Sequence, residues 1–307
     1  MVNGALEERI KKEGFRGNIR RQVPMRELTS FRIGGPADLI LFPRDLKDLQ
    51  VAVKLFRQEG VRYLLLGNGT NILVSDRGVR EPLINLTRGF GEIKKEGTKV
   101  TGEAGAGLPQ MLRFCADNAL SGLESLVGIP GTVGGGIRMN AGSWGMELGN
   151  LMSCLMVMDD LGEIKWLEKG EVVLGYRQID LPSQYIILQG KFSLQEGERS
   201  KIRKRMGDFL RKRKKTQPLS LPSAGSIFKN TQGLSAGKLI EGVGLKGFRR
   251  GDAMVSPLHA NFIVNLGAAR ARDVLGLISF VKEKVYQERG VRLELEVVIA
   301  GEPDLAA

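Results

Sequence analysis

Two glycine-bearing segments carry the first signs of chemistry. In GNGTN, Gly67 and Gly69 let backbone N–H groups turn toward an anion, and Asn68, Thr70 and Asn71 add side-chain donors. Read alone, this loop is equally a plain tight turn. The second segment, GIPGTVGGGIRMNAGSWG over residues 128–145, holds too much glycine for one regular helix and must serve close backbone approach. Within it, Gly128, Ile129, Pro130, Gly131, Thr132, Gly134, Gly135, Asn140 and Ala141 are candidate cofactor contacts. Taken together, the two segments suggest two glycine-lined walls around one phosphate-bearing cofactor with a ring system, a dinucleotide held outside a Rossmann crevice.

Other patterns exclude more than they promise. GVGLKG at residues 242–247 spells G-x-G-x-x-G but follows a helical stretch, where the dinucleotide fingerprint needs a strand. GLSAGKL misses the P-loop spacing and puts Leu239 where a hydroxyl would reach magnesium. A lone histidine, His259, makes a Ser-His-Asp triad or a multi-histidine metal site a poor reading, so it is read as structural and no metal is expected. Cys115 and Cys154 sit in apolar surroundings without metal-ligand spacing and are read as buried free thiols.

The elements that must position these residues are legible from periodicity. Residues 45–60 put Leu46, Leu49, Val53 and Phe56 largely on one helical face. A strand over 61–66, the GNGTN loop and a strand over 72–74 follow. Residues 108–120 read as helix, and the runs between 151 and 194 as strands of an antiparallel or mixed sheet ending near Gln195. A basic amphipathic helix then covers 198–215, with Ile202, Met206, Phe209 and Leu210 at helical spacing, and Pro218 and Pro222 break the chain. Helices near 236–243 and 271–289 and a last strand over 291–299 complete the C-terminal part.

Lys and Arg total 46 against 34 Asp and Glu, so the surface field favours anions. Aromatic residues make up only 6% of the 307 residues and none interleaves with the densest charge, so the basic run is read as a solvated face and no nucleic-acid partner is expected. No apolar leader and no membrane-spanning stretch is present, which makes the cytoplasm the expected location.

Beyond these local readings, TSFRIGGPADL (29–39), LGNGTNILVSDRG (66–78), GIPGTVGGGIRMNAG (128–142), LGYRQ (174–178), QPLSLPSAGSIFKN (217–230), AGKLIEGVGLKGFRRGDAMVSPLHANFIVN (236–265) and LELEVVIAG (293–301) resemble, in order and spacing, the motifs of the UDP-N-acetylenolpyruvoylglucosamine reductase family. The resemblance implies an α+β fold. An FAD-binding domain of the vanillyl-alcohol-oxidase type would occupy two subdomains, residues 1–95 with an N-terminal extension and 96–200, and an α+β substrate-binding domain would take 201–307. It implies FAD as cofactor, NADPH as electron-donating co-substrate, and a monomer acting on a small molecule. Hydride would pass from reduced flavin to the enolpyruvyl methylene carbon of UDP-N-acetylglucosamine enolpyruvate, giving UDP-N-acetylmuramate.

Carried over position by position, the resemblance makes Arg177 the cation that grips the substrate carboxylate, Ser226 the proton donor and Glu296 the catalytic carboxylate, with Glu294 two residues away. Tyr176, Lys229 and Asn230 would bind substrate. Ile179, Thr231, Lys238 and Val298 depart from the family's pattern, and the compact spacing after Arg177 looks like the shorter subtype without a tyrosine-bearing insertion. Two other readings stay open at this stage: another FAD-dependent oxidase or dehydrogenase on the same scaffold, and a basic nucleic-acid-binding protein.

Overall fold

Asp45 opens the first long helix, Leu46–Gln58, its carboxylate accepting from the Asp48 N–H at 3.0 Å, and the helix buries Leu49, Ala52, Val53, Leu55 and Phe56. The buried Asp48 carboxylate in turn accepts from the Arg16 and Arg44 N–H groups, each at 3.0 Å, which ties the entry of the chain to this helix. The computed structural model describes residues 2–231 and 233–302. Their contacts divide the chain into two units.

The first unit holds the chain up to Arg20, Leu39–Asn68 and Glu81–Lys212. Its main sheet has five antiparallel strands in the order Ile164–Glu168, Met152–Met158, Ile186–Ser193, Lys99–Glu103 and Ile93–Glu96. A smaller parallel set puts Leu83–Asn85 between residues 40–41 and the strand Leu64–Leu66. One apolar cluster joins Leu39, Phe56 and Ile84 to Val100, Leu155 and Phe192. Residues on both sides of position 95 therefore share one core.

The second unit gathers Arg21–Asp38, Gly69–Arg80 and the chain from Arg213 onward. The strand Ile72–Val74 pairs in parallel with Val298–Ala300, and Phe31, Ile33 and Leu73 join Phe228, Val255, Leu277 and Val281 in its core. This differs from the expected division. Residues 21–38 and 69–80 are drawn to the C-terminal part by that pairing, and the boundary falls after Lys212, inside the basic helix Arg199–Thr216, rather than near residue 200. A three-stranded antiparallel sheet and the helix Ala271–Arg289 complete the unit, the helix ending at Gly290 with φ +66° as a left-handed cap.

Several expected elements are shorter than their patterns. Only Leu64–Leu66 of the run 61–66 is regular, the helix from Leu108 stops at Asp117, and the last strand is confined to Val298–Ala300. The missing part of that strand is extended but makes isolated pairings, described below. Cys115 is buried, and burial pushes its thiol up to about 12. Cys154 is only half-buried, on a strand whose pairing on both sides covers backbone but not side chains, so the buried reading fails there. Among the described residues, no helix is long and apolar enough to cross a membrane and no cluster of His, Cys, Asp and Glu is arranged for a metal.

Candidate active site

The candidate residues fall in both units. Gly67, Asn68, the whole 128–141 segment, Tyr176 and Arg177 belong to the first unit, and Gly69, Thr70, Asn71, Ser226, Lys229, Asn230 and Glu296 to the second.

In the first unit the strands Val173–Gly175 and Gln178–Asp180 form a hairpin whose two turn residues are Tyr176 and Arg177. Arg177 has φ +57°, a conformation that side chains other than glycine rarely adopt. Its guanidinium donates to the Gly142 carbonyl at 3.0 Å, lies 3.6 Å from the Glu147 carboxylate and stacks 4.8 Å over the Tyr176 ring. Asn140, 1% exposed, fixes this arrangement: its amide donates to Glu147 at 2.8 Å and to the Gly175 carbonyl at 2.9 Å, and its oxygen accepts from the Gly149 N–H at 3.0 Å. The side chain of Asn140, expected at the cofactor, is thus taken up in building the Arg177 turn. Glu147 carried no expectation; its only sequence signal is an acid close behind the glycine-rich segment.

The two glycine loops meet within this unit. A Cβ on Gly67 would stand 2.7 Å from the Thr132 hydroxyl, so only glycine lets the first loop lie against the second. Thr132 opens the short helix Val133–Arg138 and caps the Gly135 N–H at 3.2 Å. The next N–H groups are also spent: Val133 donates to Ala106 at 2.8 Å and Gly134 to Ala104 at 2.9 Å, and a Cβ on Gly134 would meet Ala104 at 2.7 Å. Gly134 therefore serves close packing while the exposed Gly135 has its N–H spent on the Thr132 cap, and what this wall offers a ligand is a surface bare of side chains rather than helix donors. The Ser125 hydroxyl, just before the loop, is buried with no hydrogen-bond partner in the protein. A surface bare of side chains where two loops meet, with an unsatisfied buried hydroxyl three residues ahead of the second loop in sequence, fits a flat, hydrogen-bonding dinucleotide such as FAD.

In the second unit the segment 226–229 runs extended between two others. On one side Ser226 bridges Phe262, the Ile227 N–H donates to the Asn261 carbonyl at 2.9 Å, and the Asn261 side chain closes a pair of bonds with the Phe228 backbone at 2.9 and 2.8 Å. On the other, Glu296 N–H donates to Ile227 at 2.9 Å and Lys229 N–H to Glu294 at 2.8 Å. Ser226 and Glu296 thus lie on adjacent extended segments, one position out of register. Glu296 is half-buried whereas Glu294 is exposed, which separates the two acids that the sequence left close.

Asn71 ties the flank of this frame, its amide donating to the Glu296 carbonyl at 3.1 Å and its own carbonyl accepting from the Val298 N–H at 3.1 Å. Gly69, at φ +61°, could not carry a side chain: a Cβ would meet the Leu28 carbonyl at 2.1 Å. Asn230 accepts from the Ala236 N–H at 3.0 Å and so anchors the helix Ala236–Gly242. Asn261 went unassigned in the sequence, although an asparagine amid apolar residues is a signal for a buried backbone clamp. His259 is structural: its Nδ1 accepts from the Asn261 N–H at 3.3 Å, its ring meets Phe262 edge-on, and burial lowers its pKa. Ile179, one of the departures, is buried in the core of the first unit.

Comparison with known proteins identifies the family. The family model described as UDP-N-acetylenolpyruvoylglucosamine reductase, C-terminal domain, matches residues 217–300, and an FAD binding domain model matches 37–168. Curated UDP-N-acetylenolpyruvoylglucosamine reductases of Syntrophus aciditrophicus and Clostridium novyi are 43% and 40% identical, over 91% and 98% of this chain and 91% and 97% of their own. The crystal structure of the Thermus caldophilus reductase superposes with a TM-score of 0.81 at 39% identity, covering 92% of this chain and 99% of that one. The chain therefore carries an FAD-binding domain and the reductase family's C-terminal domain, with mixed helix and strand content. On matches of that identity and extent, the chain belongs to the UDP-N-acetylenolpyruvoylglucosamine reductase family.

Proposed function

We propose that the protein is an FAD-dependent UDP-N-acetylmuramate dehydrogenase that reduces the enolpyruvyl group of UDP-N-acetylglucosamine enolpyruvate, with electrons from NADPH, in peptidoglycan precursor synthesis. The observation that carries this reading is Arg177, held at φ +57° by the Asn140 and Glu147 contacts. A residue in that region costs about 1–3 kcal/mol and persists where the surroundings over-determine it, as at functional sites. FAD, when bound, supplies the hydride for the substrate's methylene carbon.

The chain's own residues do the rest. Arg177 grips the substrate carboxylate, into which negative charge spreads as the new C–H bond forms, and its planar fork suits that group better than a lysine would. Ser226 holds at Oγ the proton that the neighbouring carbon receives. Glu296 presents a carboxyl group to the same proton transfer, its backbone fixed by Ile227 and Asn71. Lys229, the Asn230 amide and Tyr176 bind the substrate, and Gly67–Asn71 with the 128–141 segment hold the cofactor. In this reading the enzyme works as a cytoplasmic monomer, which sedimentation of the purified protein and fractionation of cells test.

Anaerobic stopped-flow absorbance on the flavin band tests the reaction. NADPH is expected to bleach the flavin, and UDP-N-acetylglucosamine enolpyruvate to restore its colour quickly. Flavin that stays reduced until oxygen is admitted would replace this reading with that of an oxidase on the same scaffold.

A further inference from the structure

A cleft lies wholly within the second unit and shares no residue with the candidate catalytic, substrate and cofactor positions. Its volume is about 790 Å3, and Arg26, Arg32, Arg77, Arg270 and Arg272 line it together with Asp76. The Asp76 carboxylate is committed, its oxygens accepting from the Ala271 and Arg272 N–H groups at 2.8 and 3.2 Å. None of the ion pairs found among the described residues involves any of the five arginines, while nearby Arg80 is bound to Asp38 at 2.8 Å.

The frame beneath these arginines is built from backbone. Gly35 N–H donates to Ser75 at 2.8 Å, and a Cβ there would meet the Asp76 carbonyl at 2.2 Å, so the loops bearing Arg32 and Arg77 are locked together. The Met25 and Arg26 N–H groups donate to Gly35 and Gly34 at 2.9 and 3.3 Å, which adds Arg26 to the same wall. Asp76 clamps the first turn of the helix Ala271–Arg289 and thereby sets Arg270 and Arg272 opposite. Arg32 is itself held at φ +55°. Five like charges gathered on so fixed a frame repel one another, and an anion relieves that repulsion.

We infer that this cleft binds an oligophosphate chain, either free or as the tail of a nucleotide. Guanidinium forks match phosphate oxygens two at a time, and several of them suit a chain of phosphates better than a single one. Glycine and alanine supply most of the remaining lining, and no aromatic side chain is there to stack a base. The phosphates are therefore the part recognised.

The test is calorimetric titration of the full-length, FAD-saturated protein with tripolyphosphate, and separately with ATP, at fixed ionic strength. Saturable binding is expected, weakened about tenfold or more in R270A/R272A. A K214A/K215A control, which removes the same charge from the basic helix, should bind as wild type. Equal affinity for the two probes assigns a free chain, and tighter ATP binding assigns a nucleotide tail. R270A/R272A should keep its melting temperature and its rate of flavin reduction by NADPH, and R77A gives an independent second variant should the double one not fold. No saturable heat, equal losses in the two double variants, or tripolyphosphate displaced by the UDP-sugar substrate would overturn the assignment.

Discussion

Arg177 and Asn140 show how a reactive side chain is set by one that never reacts. Removing the Asn140 amide takes one hydrogen bond each from the Gly175 carbonyl, the Glu147 carboxylate and the Gly149 N–H. Asn140→Ala is therefore expected to cost about 2–4 kcal/mol of stability, read as a lower urea midpoint, because buried groups lose bonds that water does not replace. Glu147→Gln keeps the shape and removes the charge beside the guanidinium, so the melting curve should hold while KM for the enolpyruvyl substrate changes. At Ser226 the split falls between half-reactions. Ser226→Ala should keep FAD and its reduction by NADPH, yet lose about 100- to 10,000-fold in reoxidation by substrate, since only proton delivery uses the hydroxyl. Equal loss in both halves, seen by stopped flow, would remove Ser226 from that role. Neither Ser226 nor Glu296 was legible from residue types alone, because no base adjoins Ser226 in sequence and Glu294 competes with Glu296; the surrounding motifs supplied them. Asn140 was legible as part of a motif but not for its task, since its partner Gly175 lies far along the chain.

At the scale of elements, helices announced themselves better than strands. The helices from Leu46, Ala236 and Ala271 follow from apolar spacing and end signals within a few residues. The stretch 291–297 has the alternation of a strand, yet its backbone bonds are shared with Ile227 and Lys229, partners no local pattern reveals. The basic helix Arg199–Thr216 buries Ile202 and is fastened by charge: Arg205 reaches Glu124 at 2.6 Å and Arg203 reaches Asp117 at 2.7 Å. Burial alone would raise the Glu124 carboxyl, but backbone N–H groups, Ser121 and Arg205 outweigh it and hold it below its usual range. A carboxyl depressed in the folded state contributes stability above its unfolded pKa and loses it as pH falls through the folded one. The stability gap between wild type and Glu124→Gln should thus be present at about pH 7 and shrink below about pH 4. Urea midpoints at the two pH values read this directly, and a gap that widens in acid would contradict the sign.

For the whole molecule, the expected cut near residue 200 makes a sharp test of how the chain is divided. A fragment of residues 1–200 would keep Phe31, Ile33 and Leu73, which are 0%, 2% and 1% exposed in the full chain, but lose the C-terminal residues that cover them. Uncovering each large apolar side chain costs about 1.5–3 kcal/mol. Three together approach the roughly 5–15 kcal/mol that holds an ordinary domain folded. The strand Ile72–Val74 would also lose its partner Val298–Ala300 and expose an open edge, an invitation to aggregate. Asn71 would lose Glu296 in the same stroke. The fragment is therefore expected to be insoluble, or aggregated and colourless on gel filtration, although a matched FAD binding domain at residues 37–168 lies entirely inside it. A monodisperse yellow fragment would mean that residues 21–38 and 69–80 find cover without the C-terminal part, and the division of the chain at Lys212 would then lose its energetic meaning.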